Sequence, residues 1–327
     1  MNAFTLKIIA LLTMFIDHVG AVIPEFVGFE PQGMNIFRVI GRVSFPIFVC
    51  LVAEGFRHTK SPMKYLARLG IFAILSEIPY DLAFNFQWWR FRQCGSTSTL
   101  FFPNSGIDFF ANTNIFYTLF LGGAAIVTYQ YIMDRLVKRD KEDVEGKAVV
   151  EDDFEMPSVG ISLADMRKIA TIVAVLPSIG FMLLAQVLTT DYGAYGVAFI
   201  LIMYVTTIPN AKNIYRRRAK AANASTPFLA TEEVNVSAFW YKLRLVVMAV
   251  LCVWQHNWLI DWIARGYLSY IPAIYLLMIP ATLIPVVLFA FYNGNRGPSL
   301  KWLFYAAYPL HLLVLADIIW RFGNHRG

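Results

Sequence analysis

Charge is scarce in this sequence: Asp, Glu, Lys and Arg together make up 15% of its 327 residues. A soluble globular domain carries about 25% charged residues. Hydrophobic residues make up 57% of the chain, and several apolar runs reach about 20 residues, the length that crosses a bilayer as a helix. The lack of charge therefore excludes a soluble domain and predicts an all-α integral membrane protein in a lipid bilayer.

Cysteine is scarce as well. The chain has three cysteines, Cys50, Cys94 and Cys252, and no two of them share a paired spacing. This spacing indicates neither a disulfide framework nor a zinc site, and no metal ion is predicted. The N-terminal apolar run lacks a small-residue cleavage site and carries Asp17 and His18 inside it. We therefore predict a retained first helix rather than a signal peptide.

The apolar runs predict about nine membrane-spanning helices within one domain, residues 1–327. The eighth run contains Pro272, Pro280 and Pro285, so its helix is expected to be kinked or broken. The predicted spans are residues 4–23, 36–56, 65–84, 114–133, 168–188, 192–209, 239–257, 267–292 and 300–320.

Basic residues are concentrated in alternate loops, those that follow the second, fourth, sixth and eighth spans. Because basic loops stay in the cytoplasm, the N-terminus is predicted inside and the C-terminus outside. The same distribution explains the net charge of +6 without a nucleic-acid partner. Two polar segments, 134–166 and 210–238, are predicted as mobile cytoplasmic loops. The aromatic-rich segment 85–113 is predicted as an outer loop that folds back onto the membrane surface or caps the bundle.

Ionisable residues of the first three spans fall at one depth, in the outer half of the membrane. The arginines of span two and the acids of span three are each spaced i, i+4, so each pair lies on one helix face. Charges within a membrane are costly and should face one another or a wet cavity. These residues are Asp17, His18, Arg38, Arg42, Glu77 and Asp81, and Asn114, Asp191, Tyr192, Tyr195, Gln255 and His256 reach the same level.

Two interpretations of this outer group stay open. The charges could be structural ion pairs that join three helices, with Arg38 and Arg42 against Glu77 and Asp81. A histidine suits proton transfer better than helix pairing, since it titrates near pH 6.5. Asp17 and His18 are successive and lie about 100° apart on a helix. We expect one of them to meet the arginines and the other to face a cavity.

A second group of polar residues lies at the predicted cytoplasmic face. Basic side chains beside the exposed amides of a glycine-containing loop, YNGNRG (292–297), could hold phosphates, although basic loops also serve only to orient the chain. A polyanion site inside and an acid–base site outside fit a coenzyme A thioester as acyl donor. The candidate contacts are Arg57, Lys60, Lys64, Arg68, Asn293, Arg296 and Lys301.

Several long strings resemble the TraX family, named for a conjugation protein that N-acetylates pilin. They run from the first span to the last and cover most of the chain outside the polar loops. The strings are LLTMFIDHVG, FRVIGRVSFPIFVCLVAEGFRHT, LARLGIFAILSEIPYDLAFN, NIFYTLFLG, DYGAYGV and YNGNRG with KWLFYAAYPLHLL. The family is similar at the level of fold to polytopic membrane acyltransferases that use acyl-CoA.

The resemblance implies acetyl-CoA as donor and a histidine as general base. By position that role falls on His18, with Asp17, Arg42, Glu77 and Asp81 as its catalytic surroundings. Arg38, Asn114 and Tyr195 are expected at the acceptor site. His311 is also placed there and is the second candidate for the base, the alternative being a packed histidine. Direct transfer and an acetyl-histidine intermediate both stay open.

The implied function is a multi-pass acetyltransferase of the bacterial inner membrane. Its acceptor would be an amine or hydroxyl at the outer side, on the N-terminus of an exported protein such as pilin or on an envelope glycan. One alternative is a proton-coupled transporter in which Asp17, His18, Glu77 and Asp81 form the proton path, although no internal symmetry supports it. Another is a non-catalytic scaffold. Binding of acetyl-CoA separates the enzyme from both.

Overall fold

The structure is a computed structural model that describes residues 1–22, 35–85, 113–147, 172–206, 227–266 and 273–322. These ranges form α-helices, one π-helical turn and an isolated β-bridge between Thr113 and Thr190. The helices are α1 (Ala3–Val22), α2 (Ile36–Gly41), α3 (Ser44–His58), α4 (Pro62–Tyr80, followed by the π turn Asp81–Asn85), α5 (Ile115–Lys147), α6 (Ser178–Val187), α7 (Gly193–Thr206), α8 (Pro227–Trp254), α9 (Asn257–Ala264), α10 (Ala273–Leu276), α11 (Met278–Ala290) and α12 (Lys301–Phe322).

The apolar helices establish this chain as a membrane protein. Within the described ranges four helical stretches are long and apolar enough to cross a bilayer, and three shorter apolar helices coincide with further predicted spans. The count of nine spans and their orientation stay predictions. The four long stretches are Ala3–Val22, Ile36–His58, Ile115–Arg135 and Trp302–Arg321, and the shorter ones are Ile172–Val187, Gly193–Thr206 and Ile274–Ala290.

Helix α4 exposes apolar side chains and buries polar ones, the reverse of a helix in a soluble protein. Its outward face exposes Ile74 and Ile78 to 67% and 63%. Its inward face buries Ser76 and Glu77 beside the apolar Ala73. In water this arrangement would be unfavourable, but acyl chains solvate an apolar exterior and the protein interior must satisfy the polar groups.

Two prolines account for breaks in the longer helical stretches. Pro46 has no N–H to donate to the carbonyl of Arg42, and the helix is interrupted there, α2 ending at Gly41 and α3 beginning at Ser44. Pro280 likewise cannot donate to Leu276, where α10 ends. This interruption confirms the predicted break in the eighth span.

The polar segments contain more helix than predicted. Helix α5 continues to Lys147, and α8 already begins at Pro227, so each enters a segment predicted as loop. Residues 134–147 are rich in Lys, Arg and Glu, which favour helix and which place opposite charges four residues apart. The remainder of both predicted loops, 148–166 and 210–226, lies outside the described residues. So does nearly all of the predicted capping loop 85–113.

Alternating helix directions bring five helix ends together. Helix α1 packs against α2, α3 and α12, α4 packs against α5 and α12, and α7 packs against α3, α5 and α6. The C-terminal ends of α1 and α4 therefore meet the N-terminal ends of α2, α5 and α7. The polar residues of the candidate site are located at this end of the bundle.

Candidate functional site

A pair of histidines joins the first helix to the last. Nδ1 of His18, on α1, lies 2.6 Å from Nε2 of His311, on α12. The two ring planes are nearly parallel, 16° apart, and their centroids are 4.9 Å apart, so the two nitrogens face each other edge to edge. His18 is buried, so this hydrogen bond is formed within the bundle. The structure thus brings together the two histidines that the sequence offered as separate candidates for the base.

Aromatic rings and a backbone carbonyl surround the histidine pair. Nδ1 of His311 is 2.8 Å from the carbonyl oxygen of Ala307, one helical turn earlier. Phe84, from the π turn, and Tyr308, from α12, present their rings edge-on to His18 at centroid distances of 5.2 and 5.9 Å. Tyr308 was missed as a site residue, although its spacing to His311 in YPLH places both on one helix face.

Asp17 faces a different neighbour from His18. Its Oδ2 accepts a hydrogen bond from Nη1 of Arg38 at 2.5 Å. The carboxyl lies directly against Gly41, in the space that a Cβ would occupy, which explains why α1 and α2 can approach so closely. This contact confirms that one member of the Asp17–His18 pair meets the arginines.

Glu77 is held by an amide rather than by an arginine. Its Oε2 accepts from Nδ2 of Asn114 at 2.5 Å and from the Asn114 backbone N–H at 3.3 Å. The other amide hydrogen of Asn114 reaches the Ala73 carbonyl at 2.8 Å. Asn114 thereby joins α4 to the start of α5, and it lies with Glu77 rather than with the histidines. Asp81, also buried, begins the π turn one helical turn after Glu77.

The turn that carries Asp191, between α6 and α7, is strained but firmly held. Thr189 and Tyr192 have φ values of 46° and 69°, in the left-handed region that few non-glycine residues adopt. The Asp191 N–H donates to the Thr113 carbonyl at 3.0 Å, and the Thr118 hydroxyl donates to the Asp191 carbonyl. Such strain persists where the surrounding contacts enforce it, and it is frequent at functional sites.

Asp191 is exposed as a residue, but protein atoms surround its carboxyl group closely enough to change its pKa. Desolvation raises the pKa of its carboxyl from the ordinary value of 3.8 to about 6, and Asp17 raises that pKa further, while Arg42 and Arg38 oppose the rise. These four residues therefore lie close enough to influence one another. We call Asp17, Arg38, Arg42 and Asp191 the acid–arginine cluster. Arg42 enters it from the break between α2 and α3.

The hydroxyl of Tyr195 forms its hydrogen bond away from the other residues predicted to bind the acceptor. The phenol donates to the Leu251 carbonyl of α8 at 2.7 Å, so it binds two helices together. Of the predicted acceptor residues, Arg38 lies in the acid–arginine cluster, His311 pairs with His18 and Asn114 binds Glu77. The predicted site therefore resolves into neighbouring groups rather than a single shell around His18.

Two of the arginines predicted to bind phosphate are engaged by aromatic residues. Nε of Arg57 donates to the Tyr204 carbonyl at 3.1 Å, and the guanidinium lies 4.5 Å from the centre of the Tyr204 ring. Arg68 lies over the ring of Tyr65 at 5.7 Å. Lys60 and Lys64, by contrast, are exposed at the end of α3 and the start of α4.

The predicted glycine loop is tied to the N-terminus of the chain. The Met1 ammonium donates to the Phe291 carbonyl at 2.7 Å, and the Asn293 N–H donates to the Met1 carbonyl at 2.9 Å. Gly297 has a φ of +69°, which suits glycine. Arg296 is exposed, with a 3.4 Å contact to the Ser299 hydroxyl. Lys301 is the first residue of α12.

A buried ion pair at this end of the bundle was missed from the sequence. Glu54 lies 3.5 Å from Arg244 of α8 and 3.5 Å from His58, and both Glu54 and Arg244 are buried. The signal was present, since Arg244 is a charge inside an apolar span and such charges require a partner.

Over the part of the chain that the structure describes, no group of three or more His, Cys, Asp or Glu side chains could hold a metal ion.

Apolar helices outside and buried polar groups inside define a helical membrane protein with an internal polar site. Residues 3–132 match the family model described as TraX protein. The chain is also 22% identical over 319 residues to the probable fimbrial assembly protein FimC, serogroup H1, of Dichelobacter nodosus, covering 97% of this chain and 95% of that protein. No solved structure matches the chain. The resemblance to the TraX family is thus confirmed over residues 3–132, which include His18 and Arg38.

Proposed function

We propose that this protein is an acetyltransferase of the bacterial inner membrane. It would move an acetyl group from cytoplasmic acetyl-CoA to an amine or hydroxyl acceptor at the outer side. The observation that carries the proposal is a buried imidazole, His18, at the same end of the bundle as the acid–arginine cluster. The match to the TraX model over residues 3–132 supports it, because this segment contains His18 and both arginines.

His18 is the general base in the proposed reaction. It accepts the proton of the acceptor group as that group attacks the thioester carbonyl. The new bond forms between the acceptor and the acetyl carbon, the carbon–sulfur bond breaks, and coenzyme A leaves as the thiolate, which takes up the proton from His18. Negative charge develops on the carbonyl oxygen in the transition state and requires a donor.

Arg42 is the better placed of the two arginines to stabilise that oxygen. Arg38 is already engaged by Asp17 at 2.5 Å, whereas Nε of Arg42 is buried with no hydrogen-bond partner among the described residues. A buried donor without a partner is costly and is suited to a substrate oxygen. Arg38 instead holds Asp17 in place.

The donor phosphates are assigned to the opposite, basic end of the bundle. Lys60, Lys64 and Arg296 are exposed there, and Lys301 begins the adjacent helix. Arg57 and Arg68 lie against aromatic rings and would shape the site more than bind phosphate. Asn293 stays a candidate through its place in the loop. Charge-assisted hydrogen bonds from such groups are the usual means of holding phosphates.

The acceptor is proposed to be the N-terminus of an exported protein or an envelope glycan. A relative named as a fimbrial assembly protein, aligned over 97% of this chain, supports an acceptor connected with pili. The carboxylates of the site, Glu77, Asp81 and Asp191 among them, suit a protonated amine before it enters the reaction.

The transporter alternative uses the same side chains as a proton path. Such a path must continue across the membrane, yet the described polar residues form two separate groups at opposite ends. A transporter has no need of acetyl-CoA, so donor binding discriminates between the two functions.

The test is calorimetric titration of acetyl-CoA into detergent-purified protein. Wild type and His18→Ala should both bind, because His18 acts after binding, while only the wild type should release coenzyme A from acetyl-CoA. Arg296→Ala should weaken binding by about tenfold, the cost of one charge-assisted hydrogen bond. Arg321→Ala is the matched control, since Arg321 is also exposed but pairs with Asp317 on α12. A folded wild type that does not bind acetyl-CoA would refute the proposal.

A further inference from the structure

We infer that His311 is a positioning residue that fixes which nitrogen of His18 carries the proton, leaving Nε2 of His18 as the basic atom. The inference rests on the proposed function for its catalytic meaning, but its structural content can be tested without any substrate. It also assigns His311 a different role from that of an alternative base.

The contact between His311 and its own helix determines which nitrogen of His311 carries the hydrogen. A backbone carbonyl oxygen can only accept a hydrogen bond. Because the Ala307 oxygen lies 2.8 Å from Nδ1 of His311, that nitrogen carries the hydrogen. In a neutral imidazole the other nitrogen is then an acceptor. Nε2 of His311 therefore presents a lone pair toward α1.

The 2.6 Å separation between Nε2 of His311 and Nδ1 of His18 then determines which nitrogen of His18 carries the hydrogen. Two lone pairs cannot face each other at this distance, so Nδ1 of His18 must carry the hydrogen and donate it. The lone pair of a neutral His18 is consequently on Nε2. Both nitrogens of His311 are occupied in this arrangement, which leaves it without a nitrogen to act as the base.

His311 also interacts with the positive charge that forms on His18 during transfer. When Nε2 of His18 takes the proton of the acceptor, the imidazolium still donates from Nδ1 to His311. A hydrogen bond from a charged donor is stronger than one from a neutral donor, so His311 stabilises the protonated base. An orienting third group has the same relation to the base in other nucleophile–base arrangements. Here that group is a neutral imidazole.

Packing maintains the geometry that this role requires. The rings of Phe84 and Tyr308 meet His18 edge-on, and Phe15 meets His311 edge-on at 6.0 Å. These contacts restrict rotation of both imidazoles. The hydrogen bond is thus held between two helices whose residues are 293 positions apart in the chain.

The test is nitrogen NMR of protein labelled with ¹⁵N-histidine. The chain has five histidines, so single substitutions can assign each imidazole. In the wild type, His18 should show a protonated Nδ1 and an unprotonated Nε2. His311→Phe removes the acceptor and should convert His18 to a mixture of tautomers. His311→Gln offers an amide oxygen to Nδ1 and should restore the single tautomer, while His58→Gln, at the opposite end, should change nothing.

Kinetics with water as acceptor complete the experiment. Release of coenzyme A from acetyl-CoA should fall by about 100-fold in kcat for His311→Phe, a typical contribution of a correctly oriented base, with KM for acetyl-CoA unchanged and partial recovery in His311→Gln. A His18 proton on Nε2 in the wild type, or an unchanged tautomer in folded His311→Phe, would overturn the inference. Absence of acetyl-CoA binding with the expected tautomers would instead refute only the proposed function.

Discussion

Asp17 and His18 are neighbours in sequence but serve different partners. Successive residues on a helix point about 100° apart, so Asp17 meets Arg38 of α2 while His18 meets His311 of α12. The two side chains could not share one contact without unwinding α1. The ion pair of Asp17 and the imidazole contact of His18 are thereby kept on different sides of α1.

Asp191 provides a prediction about pH. Its carboxyl has a pKa of about 6 in the folded protein against an ordinary 3.8, so the folded state binds the proton more tightly than the unfolded state. The contribution of Asp191 to stability therefore falls as pH rises from about 4 to about 6 and is constant above that range. In Asp191→Asn this loss is absent. The melting temperature of the variant relative to wild type should increase across this interval and then level off.

The measurement is thermal unfolding of both proteins in one detergent at pH values from 4 to 8. The difference between the two curves isolates Asp191 from the other titrating groups. Curves that run parallel throughout would show that the Asp191 carboxyl is not desolvated by the folded protein.

Close helix approach depends on glycine where α1 meets α2. Asp17 atoms occupy the space in which a side chain at position 41 would begin, and Arg38 on the same helix binds that aspartate. The ion pair and the helix contact therefore depend on one small residue. Gly180 of α6, by contrast, has open space around it.

Substitutions at these two glycines should have opposite effects. Gly41→Ala should destabilise the protein by about 1–3 kcal/mol, since the added methyl overpacks the contact with Asp17. Gly180→Ala should stabilise it by about 0.5–1 kcal/mol, because alanine is the better helix former and nothing blocks its methyl. Thermal unfolding in detergent measures both. If Gly41→Ala were as stable as the wild type, α1 and α2 could move apart at that contact without loss of unfolding free energy.

The bundle as a whole has two chemically distinct ends joined by apolar helices. One end holds the histidine pair and the acid–arginine cluster, and the other holds the exposed lysines, Arg296 and the ion pair of Glu54 with Arg244. An enzyme that joins a cytoplasmic donor to an outer acceptor needs this polarity. The distribution of basic loops predicts its direction relative to the membrane.

Reporter fusions test that direction. At residue 150, a reporter that works only in the cytoplasm should be active. At residue 100, a reporter that works only outside the membrane should be active, because basic loops stay inside. A fusion after residue 327 should also be external. The reverse pattern at all three positions would place His18 at the cytoplasmic side and exchange the proposed locations of donor and acceptor.

Much of the fold was predictable from local patterns. Apolar runs located the helices, since bilayer thickness sets their length, and prolines located the break near Leu276 because they lack an N–H. The helical extension of α5 to Lys147 was missed. In that segment the residues are no longer apolar but still favour helix. A prediction based on hydropathy alone therefore ends the helix too early.

The sequence by itself determined the membrane class, the positions of the long apolar helices and the resemblance to the TraX family. Only the tertiary structure decided the partners: His18 with His311, Glu77 with Asn114, and Arg57 against Tyr204. Periodicity shows which residues share a face of one helix. It does not show which helix that face meets, because that depends on how all the helices rotate and pack together.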